Sequence, residues 1–98
     1  MNLYVVMSNQ GIHHDCIAVC LKKEQAESFL SRNKVNKGYI KSVEVVGDYA
    51  YPKDVYEANA YLGEWKVHTF IGLYADPADA EAAAGENGTV LPRSVERD

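Results

Sequence analysis

The feature that most constrains this 98-residue chain is an internal repetition of strand and helix signals. Residues 3–29 and 55–83 each contain an apolar segment, a polar turn, a second apolar segment and a helical segment in the same order. This shared order indicates a duplication, with units at about 3–46 and 55–91. Identical residues recur at matched positions of both stretches, namely Tyr4 and Tyr56, Gly11 and Gly63, and, after a two-residue insertion, His14 and His68.

Local patterns predict strand, strand, helix and strand in each unit. Apolar and β-branched segments predict strands at 3–8, 14–21, 39–46, 55–62, 65–74 and 89–91. Helices are expected near 23–33 and after Asp76, which is placed as an N-cap, followed by Pro77 at the first helical position and Gly85 at the end. The fold class is therefore α+β, with duplicated ββαβ units forming one antiparallel or mixed sheet and both helices on one side. Residues 1–98 form a single domain, and residues 92–98 are expected to be a loose tail.

Composition limits the function classes. Hydrophobic residues make up 47% of the chain and the formal net charge is −4. Residues 1–47 carry a net +2 and residues 48–98 a net −6, so binding to a nucleic-acid backbone is disfavoured in the second half. No apolar run is long enough for a membrane span, and the N-terminus does not resemble a signal peptide. We therefore expect a cytoplasmic protein with reduced thiols.

The segment "HHDC" (13–16), followed by Cys20, is the only cluster that suggests metal or thiol chemistry. On a strand, His14, Cys16 and Cys20 share one face, but the two thiols lie about 13 Å apart, too far to bind one ion or form a disulfide. His14 and Cys16 are also too far apart for a nucleophile and its base. We therefore expect no metal, no cofactor and no catalytic residue here. The cluster is interpreted as a hairpin end with two buried, reduced cysteines.

Two groups of residues remain as candidate binding sites. An aromatic and acidic surface in the second half is predicted to contact a partner, although the same residues also fit loop packing and a capped, solvated helix. A pocket between the two units, or between two chains, would be the alternative site. The surface comprises Tyr49, Tyr51, Trp65, Asp76, Asp79, Glu81 and Glu86, and the pocket comprises Tyr4, His14, Tyr56 and His68.

The segments "LYVV…HHDCIAVCLKKEQAESFL" and "VYEANAYLGEWKVHTFIGLYADPADAEAAA" resemble small domains found in bacteriophage and prophage genomes, over about residues 2–90. The resemblance implies a phage accessory protein in the cytoplasm of a bacterial host, and it implies no chemistry. We expect a non-catalytic protein that binds and inhibits a bacterial defence protein, or alternatively a protein that sequesters a nucleotide or metabolite. No nucleotide-binding or hydrolase motif is present. Exposed strand edges suggest a homodimer.

Overall fold

The computed structural model describes residues 1–96 and has an α+β architecture. Residues 1–96 contain two helices and seven strands, and each half contains strand, strand, helix and strand in the expected order. The elements are β1 (Asn2–Asn9), β2 (His14–Cys20), α1 (Lys23–Arg32), β3 (Gly38–Glu44), β4 (Val55–Leu62), β5 (Val67–Tyr74), α2 (Pro77–Ala84), β6 (Thr89–Arg93) and β7 (Val95–Glu96).

The strands form two sheets, so the expectation of one sheet is wrong. The first sheet has the order β3-β1-β2-β7 and the second has the order β5-β4-β6. All neighbouring strands are antiparallel except β2 and β7, which pair in parallel. In each half, the first strand is central and is flanked by the second and third strands of that half.

The two sheets face each other, and each carries its own helix on its outer face. Val5 and its inward-facing neighbours pack against Val55, Phe70 and Leu73 of the second sheet. The adjacent Val6 points the other way and packs against α1. The prediction that both helices lie on one side is therefore wrong. Successive residues of β1 are apolar because this strand is buried on both faces, as in a strand between two layers.

The pairing of the first two strands is irregular at equivalent positions in both halves. The β1–β2 register shifts between Val6 and Met7, and this leaves Ile17 without a partner across the ladder. The β4–β5 register shifts between Ala58 and Asn59, and there the unpaired residue is Ile71. Both are β-bulges, which insert one residue and increase the local twist. Both isoleucines are exposed as a result.

The C-terminal segment is ordered through Glu96, so the expected loose tail is wrong for residues 92–96. Arg93 lies opposite Val55 in the β4–β6 ladder. Val95 is buried and pairs with Val19, and the Leu21 amide donates to the Glu96 carbonyl at 2.9 Å. This segment is therefore held in place by two strand pairings and by the burial of Val95, although its polar composition suggested a loose tail. Residues 97–98 of the expected tail lie outside the described residues.

Candidate functional site

Both hairpin turns lie at the same end of the molecule. The His14 amide, at the start of β2, donates to the Thr69 hydroxyl near the start of β5 at 3.0 Å. Each helix-to-strand loop reaches the same end, because the Ser8 hydroxyl donates to the Asn36 carbonyl at 2.6 Å and the His68 ring contacts the Asn87 carbonyl at 3.0 Å. We call this region the hairpin end, and it comprises residues 10–13, 33–37, 63–66 and 85–88.

Two aromatic side chains dominate the second hairpin. Trp65, in the turn, is 53% exposed, and Tyr61, near the end of β4, is 37% exposed. The Tyr61 ring packs at a tilt on the His68 ring with centroids 5.0 Å apart, and it also lies close to Gly63. Ile12, in the turn of the first hairpin, is 53% exposed. The hairpin end therefore presents large apolar groups that the fold itself does not bury.

The predicted partner surface is divided between the two ends. Tyr49 and Tyr51 precede β4 and Trp65 follows it, so the length of β4, about 23 Å, separates them. Both tyrosines pack against the core between the sheets. The Tyr49 hydroxyl donates to the Lys53 carbonyl at 2.6 Å, and burial raises its pKa. Their role in the structure is to fix the segment that joins the two halves, which includes a cis Tyr51–Pro52 bond.

The four acidic residues of the predicted surface have different surroundings. The Asp76 carboxylate caps α2 by accepting from the Ala78 amide at 2.8 Å, as the sequence predicted. Asp79 is exposed in the first turn, where a negative charge favours the helix dipole. Glu81 and Glu86 border an open depression of about 380 Å³ at the other end of α2. These carboxylates thus follow the helix and do not converge on one point.

The structure does not bring the four residues of the predicted pocket together. Tyr4 packs beside α1 and Tyr56 packs beside α2, so the two tyrosines lie in separate helix–sheet interfaces. His68 contacts Tyr61 and the loop after α2. Of these four residues, His14 is the one that lines a cavity between the two sheets. The residues that the sequence analysis matched between the halves thus lie on different sheets.

The cavity that His14 lines is a groove of about 240 Å³ between the inner faces of the sheets. His14 Nδ1 and the Tyr39 hydroxyl oxygen lie 2.6 Å apart, and their rings meet edge to face. Sequence reasoning missed the other lining residues, because they meet only through the β1–β3 register and the packing of the two sheets. The groove, as we use the term below, is lined by Met7, His14, Tyr39, Lys41, Thr69 and Phe70.

The remaining members of the "HHDC" cluster are engaged locally. His13 Nδ1 lies 3.0 Å from Asp15 Oδ1, within hydrogen-bond distance. Cys16 and Cys20 are unlinked and buried. Burial, followed by the nearby Glu57 charge, raises the pKa of the Cys16 thiol, and burial raises that of Cys20 to about 11. Over residues 1–96, no group of three or more His, Cys, Asp or Glu side chains is arranged to hold a metal ion.

A buried polar cluster joins the two sheets. The Glu57 carboxylate on β4 is 4% exposed and accepts from Arg93 Nε at 2.6 Å. Asn59 donates to its other oxygen at 2.9 Å. The Arg93 guanidinium also donates to the carbonyls of Cys16 and Ile17 at 2.8 and 3.3 Å, and so covers the outer edge of β2. Each of the three guanidinium nitrogens of Arg93 donates within this cluster, which is the pattern of a structural ion pair.

In comparisons with known proteins, no family model, curated protein or solved structure matches the chain. No helix in the described part of the chain has the length and apolar character needed to cross a membrane. Among residues 1–96, the hairpin end offers exposed aromatic and apolar side chains, and the groove offers polar side chains beside apolar ones.

Proposed function

We propose that this chain is a non-catalytic binding protein that contacts a protein partner through its hairpin end. The observation that carries the proposal is the exposure of Trp65 in the second hairpin turn and of Tyr61 near the end of β4. Tryptophan and tyrosine are enriched at the centres of protein interfaces, where a few side chains supply most of the binding energy. Ile12 adds apolar area at the same end, and the polar loops around these residues suit the rim of an interface.

The non-catalytic part of the proposal is supported by the state of the reactive groups. The Cys16 thiol is buried and its pKa is raised, which disfavours the nucleophilic thiolate. The buried Glu57 carboxylate is already paired with Arg93. A binding protein needs surface and has no need of a poised acid, base or nucleophile.

The partner class is proposed from the sequence. The phage-like pattern favours a bacterial host protein, and a defence protein is the expected target of a small phage accessory protein. A cytoplasmic location, in which both thiols remain reduced, is part of the proposal. The net −6 of residues 48–98 would steer a basic partner toward the second half and disfavour nucleic acid.

A duplication is also proposed as the origin of the fold. It is supported by the identical arrangement of the first three strands within each half and by the β-bulges at matched positions. The two halves nevertheless differ at the hairpin end, because the second hairpin carries Trp65 and the first carries Ile12. On this proposal, one copy retained a mainly structural hairpin and the other acquired the aromatic contact residues.

The test uses the full chain as bait in a bacterial lysate, followed by affinity measurement with the purified partner. Trp65→Ala should weaken binding by about 1–3 kcal/mol, the range for truncating an interface hot spot. Val46→Ala is the matched control, because Val46 is as exposed as Trp65 but follows β3 at the opposite end. Equal affinity of wild type and Trp65→Ala, or a loss confined to Val46→Ala, would refute the assignment of the hairpin end.

A further inference from the structure

We propose that the groove binds a small organic anion with a carboxylate group and a flat apolar body. This site is separate from the protein contact assigned to Trp65. Polar and apolar side chains from both sheets line this one cavity. The polar groups belong to Lys41, His14, Tyr39 and Thr69, and the apolar groups belong to Met7 and Phe70.

Lys41 provides the charge. It lies in β3 opposite Val5, whose side chain faces the second sheet, so Lys41 belongs to the same inner face. Its side chain is exposed and has no ion pair or hydrogen bond with any residue in 1–96. The groove lining contains no carboxylate that could neutralise it. An anion is therefore favoured over a cation.

Two hydroxyl-bearing residues provide directed hydrogen-bond donors. The Thr69 hydroxyl oxygen accepts from the His14 amide, and this leaves the Thr69 proton free to donate. The 2.6 Å contact between His14 Nδ1 and Tyr39 also leaves one free donor in either tautomer. If the tyrosine donates to Nδ1, the Nε2–H is free, and if Nδ1–H donates to the tyrosine, the tyrosine O–H is free. Both arrangements suit a carboxylate.

The apolar side chains and the volume of the groove determine what the rest of the ligand, beyond its carboxylate, must be. Met7 and Phe70 are 2% and 9% exposed, so the core holds both side chains in place and each presents a small apolar area to the groove. A thioether and an aromatic ring favour contact with a flat, polarisable group. The volume of about 240 Å³ is below the usual range for drug-sized ligands, so the occupant is small, on the order of ten non-hydrogen atoms. A simple aromatic carboxylate satisfies these requirements.

The test is an NMR titration of the ¹⁵N-labelled full chain with benzoate, with benzamide as the neutral isostere and inorganic phosphate as the anion without an apolar body. Benzoate should give saturable shifts at the amides of Lys41, Thr69 and His14, with a Kd at least tenfold below that of either control compound. Equal shifts from benzamide would refute the role of charge. Equal or tighter binding of phosphate would refute the apolar body, and absence of saturable shifts with benzoate would refute the site.

Variants locate the binding within the groove. Lys41→Met should weaken benzoate binding at least tenfold, because it removes a charge-assisted contact. Thr69→Val, which keeps the β-branched shape, should weaken it about fivefold through loss of one donor. Lys53→Met is the matched control, since it removes the same charge in the segment before β4, and binding should be unchanged. An equal effect of Lys53→Met and Lys41→Met would assign the binding to overall charge and overturn the proposal.

Discussion

Replacing Arg93 with methionine should remove the main polar connection between the two sheets. The guanidinium is held by the Glu57 carboxylate and by the carbonyls of Cys16 and Ile17. Methionine keeps much of the apolar stem but donates no hydrogen bond. Glu57 would then keep Asn59 as its hydrogen-bond donor while remaining in the interior.

The size of the effect follows from the burial of the two partners. Removing one partner of a buried ion pair costs about 3–5 kcal/mol, because an uncompensated charge is left behind. Glu57 is 4% exposed but the Arg93 side chain is 31% exposed, so water can enter where the guanidinium was. We therefore expect the lower end, about 3 kcal/mol of unfolding free energy. For a domain of this size, that corresponds to a fall in Tm of roughly 12 °C or more.

The assay is urea unfolding at pH 7 followed by far-UV circular dichroism. The double variant Glu57→Gln/Arg93→Met should recover at least half of the loss, since the neutral amide carries no charge into the interior. Arg32→Met is the matched control. Arg32 lies at the exposed end of α1 and bonds only within its own helix, so its loss should cost less than about 1 kcal/mol.

Two results would refute this reasoning. A loss below about 1 kcal/mol for Arg93→Met would mean that solvent already screens the pair as it does on a surface. Additive effects of the Glu57 and Arg93 substitutions would mean that the two side chains are not coupled, despite their 2.6 Å contact.

Three further predictions concern thiols, backbone space and assembly. Burial, with a smaller effect of Glu96, raises the pKa of Cys20 from 9.0 to about 11. As the pH rises, the unfolded state loses this proton before the folded state does. The unfolding free energy should therefore fall by roughly 1 kcal/mol by pH 10. In the Cys20→Ala variant, the unfolding free energy should fall less steeply as the pH rises, and a slope identical to that of the wild type would contradict the assignment. Gly88→Ala should lower the unfolding free energy by roughly 2 kcal/mol, because the added carbon would lie 2.2 Å from the Ala84 carbonyl oxygen. Gly63→Ala is the control: its added carbon would lie 3.6 Å from the nearest neighbour, so the unfolding free energy should change by under about 0.5 kcal/mol. The outer edge of β3, together with the part of the β5 edge that precedes its bridge to Val46, pairs with no other strand in residues 1–96 and favours a homodimer. Sedimentation should detect twice the 10.9 kDa chain mass, and a sedimenting mass of one chain at micromolar concentration would contradict the prediction.

The order of elements could be predicted from the sequence because its signals are local. The Asp76 cap with Pro77 at the first turn defines α2, and the polar turn around Gly63 separates β4 from β5. The two-sheet arrangement was missed, although the run "LYVVM" of β1 is apolar on both faces and so indicates a strand between two layers. In a sheet with only one buried face, apolar and polar residues would have alternated along the strand.

The candidate sites were predictable only in part. Trp65 was expected at the start of a strand over 65–74, but it lies in the turn before β5 and is 53% exposed. Its expected neighbours Tyr49 and Tyr51 belong to the same half of the sequence, but they lie beyond the far end of β4. Composition cannot reveal this separation. The groove residues Tyr39, Lys41 and Thr69 come from three segments with no common motif. They meet through strand register and sheet packing, which are non-local properties.

The outer edge of β2 has a consequence for fragments of the chain. Its backbone groups are covered by the Thr69 hydroxyl, by the Arg93 guanidinium and by β7, all of which belong to the second half. A fragment limited to residues 1–46 would leave this strand edge open, and such edges pair readily with other chains. Residues 1–46 expressed alone are accordingly expected to aggregate and should not persist as a soluble fragment.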